Sequence, residues 1–161
     1  MLRILGPQEF VGESDVVNEQ PRTVNAFALT TPTEVLAIDR RAVSELLEAN
    51  SEFCSVILRA LARQLDNANL RQLELSVDSV SGRVSQRLYD LQDRFGVQRG
   101  DVIEMRIPIT QQELADWSGV SRQAVVKELS ALREVGLIRT RGSHITLFDL
   151  DAIVARAKGG R

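Results

Sequence analysis

The residues of this chain best equipped to do chemistry are long hydrogen-bond donors gathered around position 122. Arg122, Gln123, Lys127, Ser130 and Arg133 share with Val126 one side of a helix predicted to start after Ser121, a natural cap. Val125, Leu129 and Leu132 fall on the opposite side, at helical spacing. In the major groove of B-DNA an Arg or Lys can bond guanine O6 and N7, and a Gln can bond adenine N6 and N7. The face therefore has the chemistry to read base edges, although a wet helix surface with no partner carries the same residue types.

The elements that would hold this face discriminate between the two readings. Thr110-Gln111-Gln112-Glu113 has the S/T-x-x-E form of a capping box, so a helix is predicted to start there. It runs through Leu114, Ala115 and Trp117 to Ser118-Gly119, where glycine can take the left-handed conformation of a tight turn. Small Ala115, turn Gly119 and inward Val120 and Val125 let two short helices cross closely, which is a helix-turn-helix. Beyond the second helix, residues 136–147 alternate apolar and polar around Gly142-Ser143, as a β-hairpin wing does. Arg139, Arg141 and His144 on that wing can sit beside phosphates.

Composition removes several other classes. The chain has 161 residues, 43% apolar and 26% charged, with a net charge of −2, which fits one or two small globular domains and not a disordered or fibrous chain. No uncharged apolar run reaches the roughly 18 residues a bilayer span requires. Residues 1–7 lack the apolar core of a secretory signal, so a cytoplasmic protein is expected. One cysteine, Cys54, and one histidine, His144, cannot assemble a Cys/His metal site or a Cys–His nucleophile pair. No enzyme is expected. Charge is uneven: residues 1–50 carry four arginines against eight acids, and residues 106–147 carry six basic residues against four acids. The basic part can meet a polyanion despite the acidic total.

Upstream, residues 1–39 read as short strands and turns, with Val24–Leu29 and Glu34–Ile38 as the clearest strands. Asp39 is predicted to cap a helix over Arg40–Glu48, followed by a long helix from Ser51 to about Val77. Leu58, Leu61, Leu65, Ala68 and Leu75 form one apolar seam on it; Leu70, Leu73, Val77 and Val80 form another. An intramolecular core helix would explain one seam. So small a sheet leaves the other in need of a partner, and self-association is the expectation. Ser76–Ser79 is a candidate hinge, and Ser79 a cap for a helix carrying Val80, Val84, Leu88, Leu91 and Phe95 and stopped by Gly96.

Residues 109–125, Ile-Thr-Gln-Gln-Glu-Leu-Ala-Asp-Trp-Ser-Gly-Val-Ser-Arg-Gln-Ala-Val, and 132–138, Leu-Arg-Glu-Val-Gly-Leu-Ile, resemble the winged helix of the CRP/FNR family of bacterial transcription regulators. Phe10-Val11-Gly12-Glu13-Ser14 and Pro21-Arg22-Thr23 resemble that family's phosphate-binding cassette, and Ser81-Gly82-Arg83-Val84 the start of its first DNA-domain helix. The resemblance implies an α+β fold with three parts. These are a cyclic-nucleotide-binding-like β-roll at 1–50, a long dimerisation helix and hinge at 51–78, and a winged helix-turn-helix DNA-binding domain at 79–161. The roll is expected to be partial, because its cassette lies at residues 10–23, where a complete member has several strands before it. Partners implied are double-stranded DNA, a second copy of the chain and RNA polymerase.

Carried over residue by residue, Arg122, Gln123 and Lys127 fall on base-reading positions, and Thr110, Ser121 and the wing fall near the DNA backbone. Gln123 replaces a frequent Glu, so a different half-site is expected. Glu128 stands at a commonly apolar position, where it would tilt the helix or face water. In cyclic-nucleotide-sensing members the cassette positions matching Gly12, Glu13, Arg22 and Thr23 hold ribose and cyclic phosphate. Here Ala68-Asn69 replaces the Thr-Ser pair that meets the purine, and Asp15 adds negative charge, so a cyclic nucleotide is disfavoured and the effector is left open. The expected function is a homodimeric, sequence-specific DNA-binding regulator. The rival is a winged-helix module that docks protein without binding DNA, which would show an apolar recognition face; Val126 is the only large apolar residue on this one.

Overall fold

Side-chain caps mark where the helices begin. The computed structural model describes residues 3–77 and 79–158, apart from the side chains of 71 and 73–77. Residues 5–71 form one compact unit containing α1 (Glu13–Val17), α2 (Arg40–Ala49) and most of α3 (Ser51–Val77). Asp39 Oδ1 accepts from the Ala42 amide at 2.9 Å and opens α2, as its sequence predicts. Asn50 Oδ1 accepts from the Phe53 amide at 2.9 Å, so α3 starts directly after α2 ends. No glycine or proline interrupts α3 over its 27 residues.

The strands expected of the partial β-roll do not form. Among the described residues up to 39, Val24–Leu29 and Glu34–Ile38 run as chain without ladder partners. Phe27 stays 83% exposed, and Val35 and Leu36 are exposed as well. A strand is stabilised by the hydrogen bonds and side-chain pairs of its neighbours. Alternating apolar residues reveal a face that could be covered but supply no neighbouring strand. On α3, Leu58 and Leu65 of one seam and Leu70 of the other are exposed, while Ile57 is buried. The side chains of Leu73, Leu75 and Val77, and Asp78 in the expected hinge, lie outside the described residues.

Residues 72–158, with residues 3–4, form the second unit. It comprises α4 (Val80–Phe95), β1 (Gly96–Arg99), β2 (Val102–Arg106), α5 (Gln111–Ser118), α6 (Arg122–Glu134), β3 (Ile138–Arg141), β4 (His144–Leu147) and α7 (Leu150–Lys158). Ser79 caps α4, accepting from the Gly82 amide at 3.1 Å. The four strands form one antiparallel sheet in the order β1-β2-β4-β3. Leu147 stands opposite Ile103 on one side and Ile138 on the other, and all three are buried. Leu88 and Leu91 of α4, Leu132 of α6 and Ile153 of α7 are fully buried in the same unit, each contributing about 1.5–3 kcal/mol of transfer free energy. Arg87 is also buried here, with Nη1 2.5 Å from Asp90 Oδ2 and its guanidinium 5.2 Å from the Trp117 ring centroid. No helix among the described residues is long and apolar enough to cross a membrane.

Gly96 ends α4, as the sequence predicts. Its φ is −75°, open to any residue, and it leads straight into β1. The glycine is required by space: a Cβ there would stand 2.4 Å from the Gln92 carbonyl oxygen and 2.9 Å from Ile103 Cγ2. The β1–β2 hairpin and α7 are additions to the sequence expectation, although both leave signals. Gly100, at φ +59°, turns the hairpin before the alternating Ile103 and Met105, and Asp149 Oδ1 caps α7 from the Ala152 amide at 2.8 Å.

Candidate nucleic-acid interface

The capping box forms in full. Thr110 Oγ1 accepts from the Glu113 amide at 3.2 Å, while Glu113 Oε2 accepts from the Thr110 amide at 2.7 Å and from its hydroxyl at 2.8 Å. These bonds, the backbone one first, hold the Glu113 carboxyl below its ordinary value of 4.5. A carboxylate with a depressed native pKa stabilises the fold above its unfolded pKa, and that contribution is lost as pH falls through the native one. Wild-type protein is therefore expected to melt above Glu113→Gln at pH 7, with the gap closing below about pH 4.5. Thermal melts of the two proteins between pH 7 and pH 3 check this.

Gly119 closes α5 at φ +64°, and its amide donates to the Ala115 carbonyl. Fully buried Ala115 offers only a methyl group at the crossing, so α6 approaches closely. Ser121 Oγ accepts from the Ala124 amide at 3.2 Å and caps α6 while keeping its O–H free to donate. Val125, Leu129 and Leu132 bury the inner face of α6. Arg122, Gln123 and Lys127 stand exposed on its outer face, and among the described residues none has a hydrogen-bond or ion-pair partner. Arg133, next to the wing, is engaged: Nη1 donates to Thr140 Oγ1 at 3.0 Å. Val126 is partly exposed among the polar side chains.

The expected wing is the β3–β4 hairpin, turned at Gly142 with φ +59°. Arg139, Arg141 and His144 are all exposed on it. The Arg139 guanidinium lies 5.6 Å from the Phe148 ring centroid, while Arg141 and His144 have no side-chain partner among the described residues. Thr110, in contrast, has both its amide and its hydroxyl committed to the capping box.

Glu128 does not face water. Its side chain is 13% exposed, and Oε1 accepts from Ser81 Oγ of α4 at 2.7 Å and from Arg156 Nη1 of α7 at 3.0 Å. One carboxylate thus ties the start of α4 and the end of α7 to the middle of α6. The partners lie 47 and 28 residues away, and no local pattern in the sequence points to them.

The cassette residues lie in the other unit and do converge. Gly12, at φ +86°, precedes α1, and the Arg22 guanidinium rests where a Gly12 side chain would be, its Nη1 donating to the Val11 carbonyl at 3.0 Å. Thr23 Oγ1 donates to Asp15 Oδ1 at 2.9 Å, and the Thr23 amide to Asp15 Oδ2 at 3.4 Å. Glu13 and Asp15 are buried.

Comparison with known proteins matches both regions. Residues 82–156 match the Crp-like helix-turn-helix domain, and residues 1–50 match the cyclic nucleotide-binding domain. The CRP-like cAMP-activated global transcriptional regulator of Mycobacterium tuberculosis H37Rv is 35% identical over 160 residues, 98% of this chain and 70% of that protein. The cAMP-activated global transcriptional regulator CRP of Haemophilus influenzae is 28% identical over 149 residues, 92% of this chain and 66% of that protein. A solved CRP/FNR-family transcriptional regulator from Thermus thermophilus superposes with a TM-score of 0.62 at 23% identity, covering 68% of this chain and 56% of its own, and shares the fold. With its helix-turn-helix, its wing and a relative matched along nearly its whole length, the chain belongs to the CRP/FNR family of DNA-binding transcription regulators.

Proposed function

We propose that two copies of the chain pair and present their α6 helices to successive major grooves of one DNA duplex. In this reading residues 51–78 pair the copies, residues 79–161 bind DNA, and RNA polymerase is the downstream partner. The observation that carries it is the outer face of α6, where Arg122, Gln123 and Lys127 are exposed and, among the described residues, unpartnered. Arg122 and Lys127 have the donor geometry for guanine O6 and N7, and Gln123 that for adenine N6 and N7. The Ser121 hydroxyl, Arg139, Arg141 and His144 supply donors for phosphates on either side, while Thr110, its amide and hydroxyl held by Glu113, places the head of α5 beside them. Leu58 and Leu65, 65% and 62% exposed and seven residues apart on one helix, support pairing, since an apolar seam of that period is covered by a second helix. A two-fold pair places its recognition helices about 34 Å apart, matching one turn of B-DNA, and so selects a near-palindromic site.

Titration of randomised and selected duplexes over a salt series tests this reading. A DNA-binding pair with several phosphate contacts is expected to lose at least about 100-fold in affinity between roughly 50 and 200 mM salt. Affinity indifferent to salt and to sequence would instead favour a winged helix that docks protein.

A further inference from the structure

The cassette of residues 10–23 has a chemistry of its own that the DNA-binding reading does not use. A backbone amide, a hydroxyl and a guanidinium held within one short loop are the groups that bind a phosphate oxygen. In this chain the amide and hydroxyl already face an acceptor supplied by the protein, and the guanidinium has one of its donors taken. The Asp15 carboxylate, 5% exposed, takes both the Thr23 hydroxyl at 2.9 Å and the Thr23 amide at 3.4 Å. Arg22 is engaged as well, laid over Gly12 with Nη1 on the Val11 carbonyl. A cyclic phosphate brought to Thr23 would have to displace a carboxylate of its own sign from a partly buried site. Neither Thr23 donor is open to it in exchange, so the residues present do not fit a cyclic nucleotide.

We infer that Asp15 is a built-in occupant of the cassette: its carboxylate stands where an external phosphate would bind, and the loop keeps its form without an effector. The site is thus a self-liganded anion site that excludes phosphate esters until the carboxylate is removed. Asp15→Ala frees both Thr23 donors and removes the opposing charge. Asp15→Asn keeps the shape, removes the charge and presents an N–H to an incoming anion.

Calorimetry and thermal melts of the full chain with cyclic AMP, cyclic GMP and inorganic phosphate test the inference without reference to DNA. The native chain is expected to show no heat of binding and no melting shift with any of the three at millimolar concentration. Either Asp15 variant, folded by circular dichroism, is expected to bind at least one of them at least about tenfold more tightly than native, the scale of one removed like charge. Gain with inorganic phosphate alone marks a bare anion site; gain with a cyclic nucleotide but not inorganic phosphate marks one that retains nucleoside contacts. Cyclic-nucleotide binding by the native chain below about 100 µM, near −5.5 kcal/mol, would overturn the inference. So would folded Asp15→Asn that ignores all three anions as native does.

Discussion

Arg122→Ala is expected to weaken binding to a selected operator by about 1–3 kcal/mol per half-site, roughly 5- to 150-fold for each recognition helix lost. The loss should be confined to specific sequence: base preference relaxes at one position of each half-site, while affinity for random DNA changes little. Arg141→Ala should do the opposite, weakening every duplex about equally and lowering the salt slope by about one. The contrast follows from position. Arg122 projects from the first turn of α6, whereas Arg141 ends the β3 strand of the wing. Neither side chain has a partner to lose among the described residues, so both variants should melt within about 0.5 kcal/mol of wild type. A titration in which both leave the selected site unchanged would remove the proposed division of contacts.

Glu128→Ala acts through the seat of the recognition helix. It strands Ser81 and Arg156, two donors from α4 and α7 that converge on one carboxylate oxygen. Hydrogen bonds to a charged group contribute about 1.5–3 kcal/mol, and the partial exposure of Arg156 moves the expectation to about 1–2 kcal/mol of lost stability in urea unfolding. Glu128→Gln keeps an acceptor for Ser81 and should recover part of the loss; Glu128→Leu fills the space with an apolar side chain and should recover part by another route. If Glu128→Ala unfolds at the wild-type urea midpoint, the carboxylate does not hold the three helices together.

The second unit is legible in the sequence because its signals are local. Thr110-x-x-Glu113 closes within one helical turn, Ser121 caps within three residues, and the apolar period of α6 spans a single element. The free donors on α6 are readable for the same reason, since an outer face is defined by the inner one. What escapes needs distant chain. Glu128 looks like a misplaced charge on α6 because Ser81 and Arg156 are close only in the folded unit. Gly96 is legible as the end of α4, but the crowding by Ile103 that demands a glycine there depends on the β1–β2 pairing. The strands of residues 1–39 fail in the opposite sense: Val24–Leu29 and Glu34–Ile38 carry strand residues with no neighbouring strand. In the cassette, the sequence marks Asp15 as a charge near a phosphate site, but only the folded loop shows that it bonds Thr23.

Methylation of guanine N7 by dimethyl sulfate on a selected operator, with and without the protein, tests most directly whether α6 reads the major groove from paired copies. The account predicts guanines protected in two symmetric sets whose centres lie about 10 base pairs apart, with one guanine per set losing protection under Arg122→Ala. Unprotected guanine N7 at a bound operator, or a single set without its symmetric mate, would contradict it.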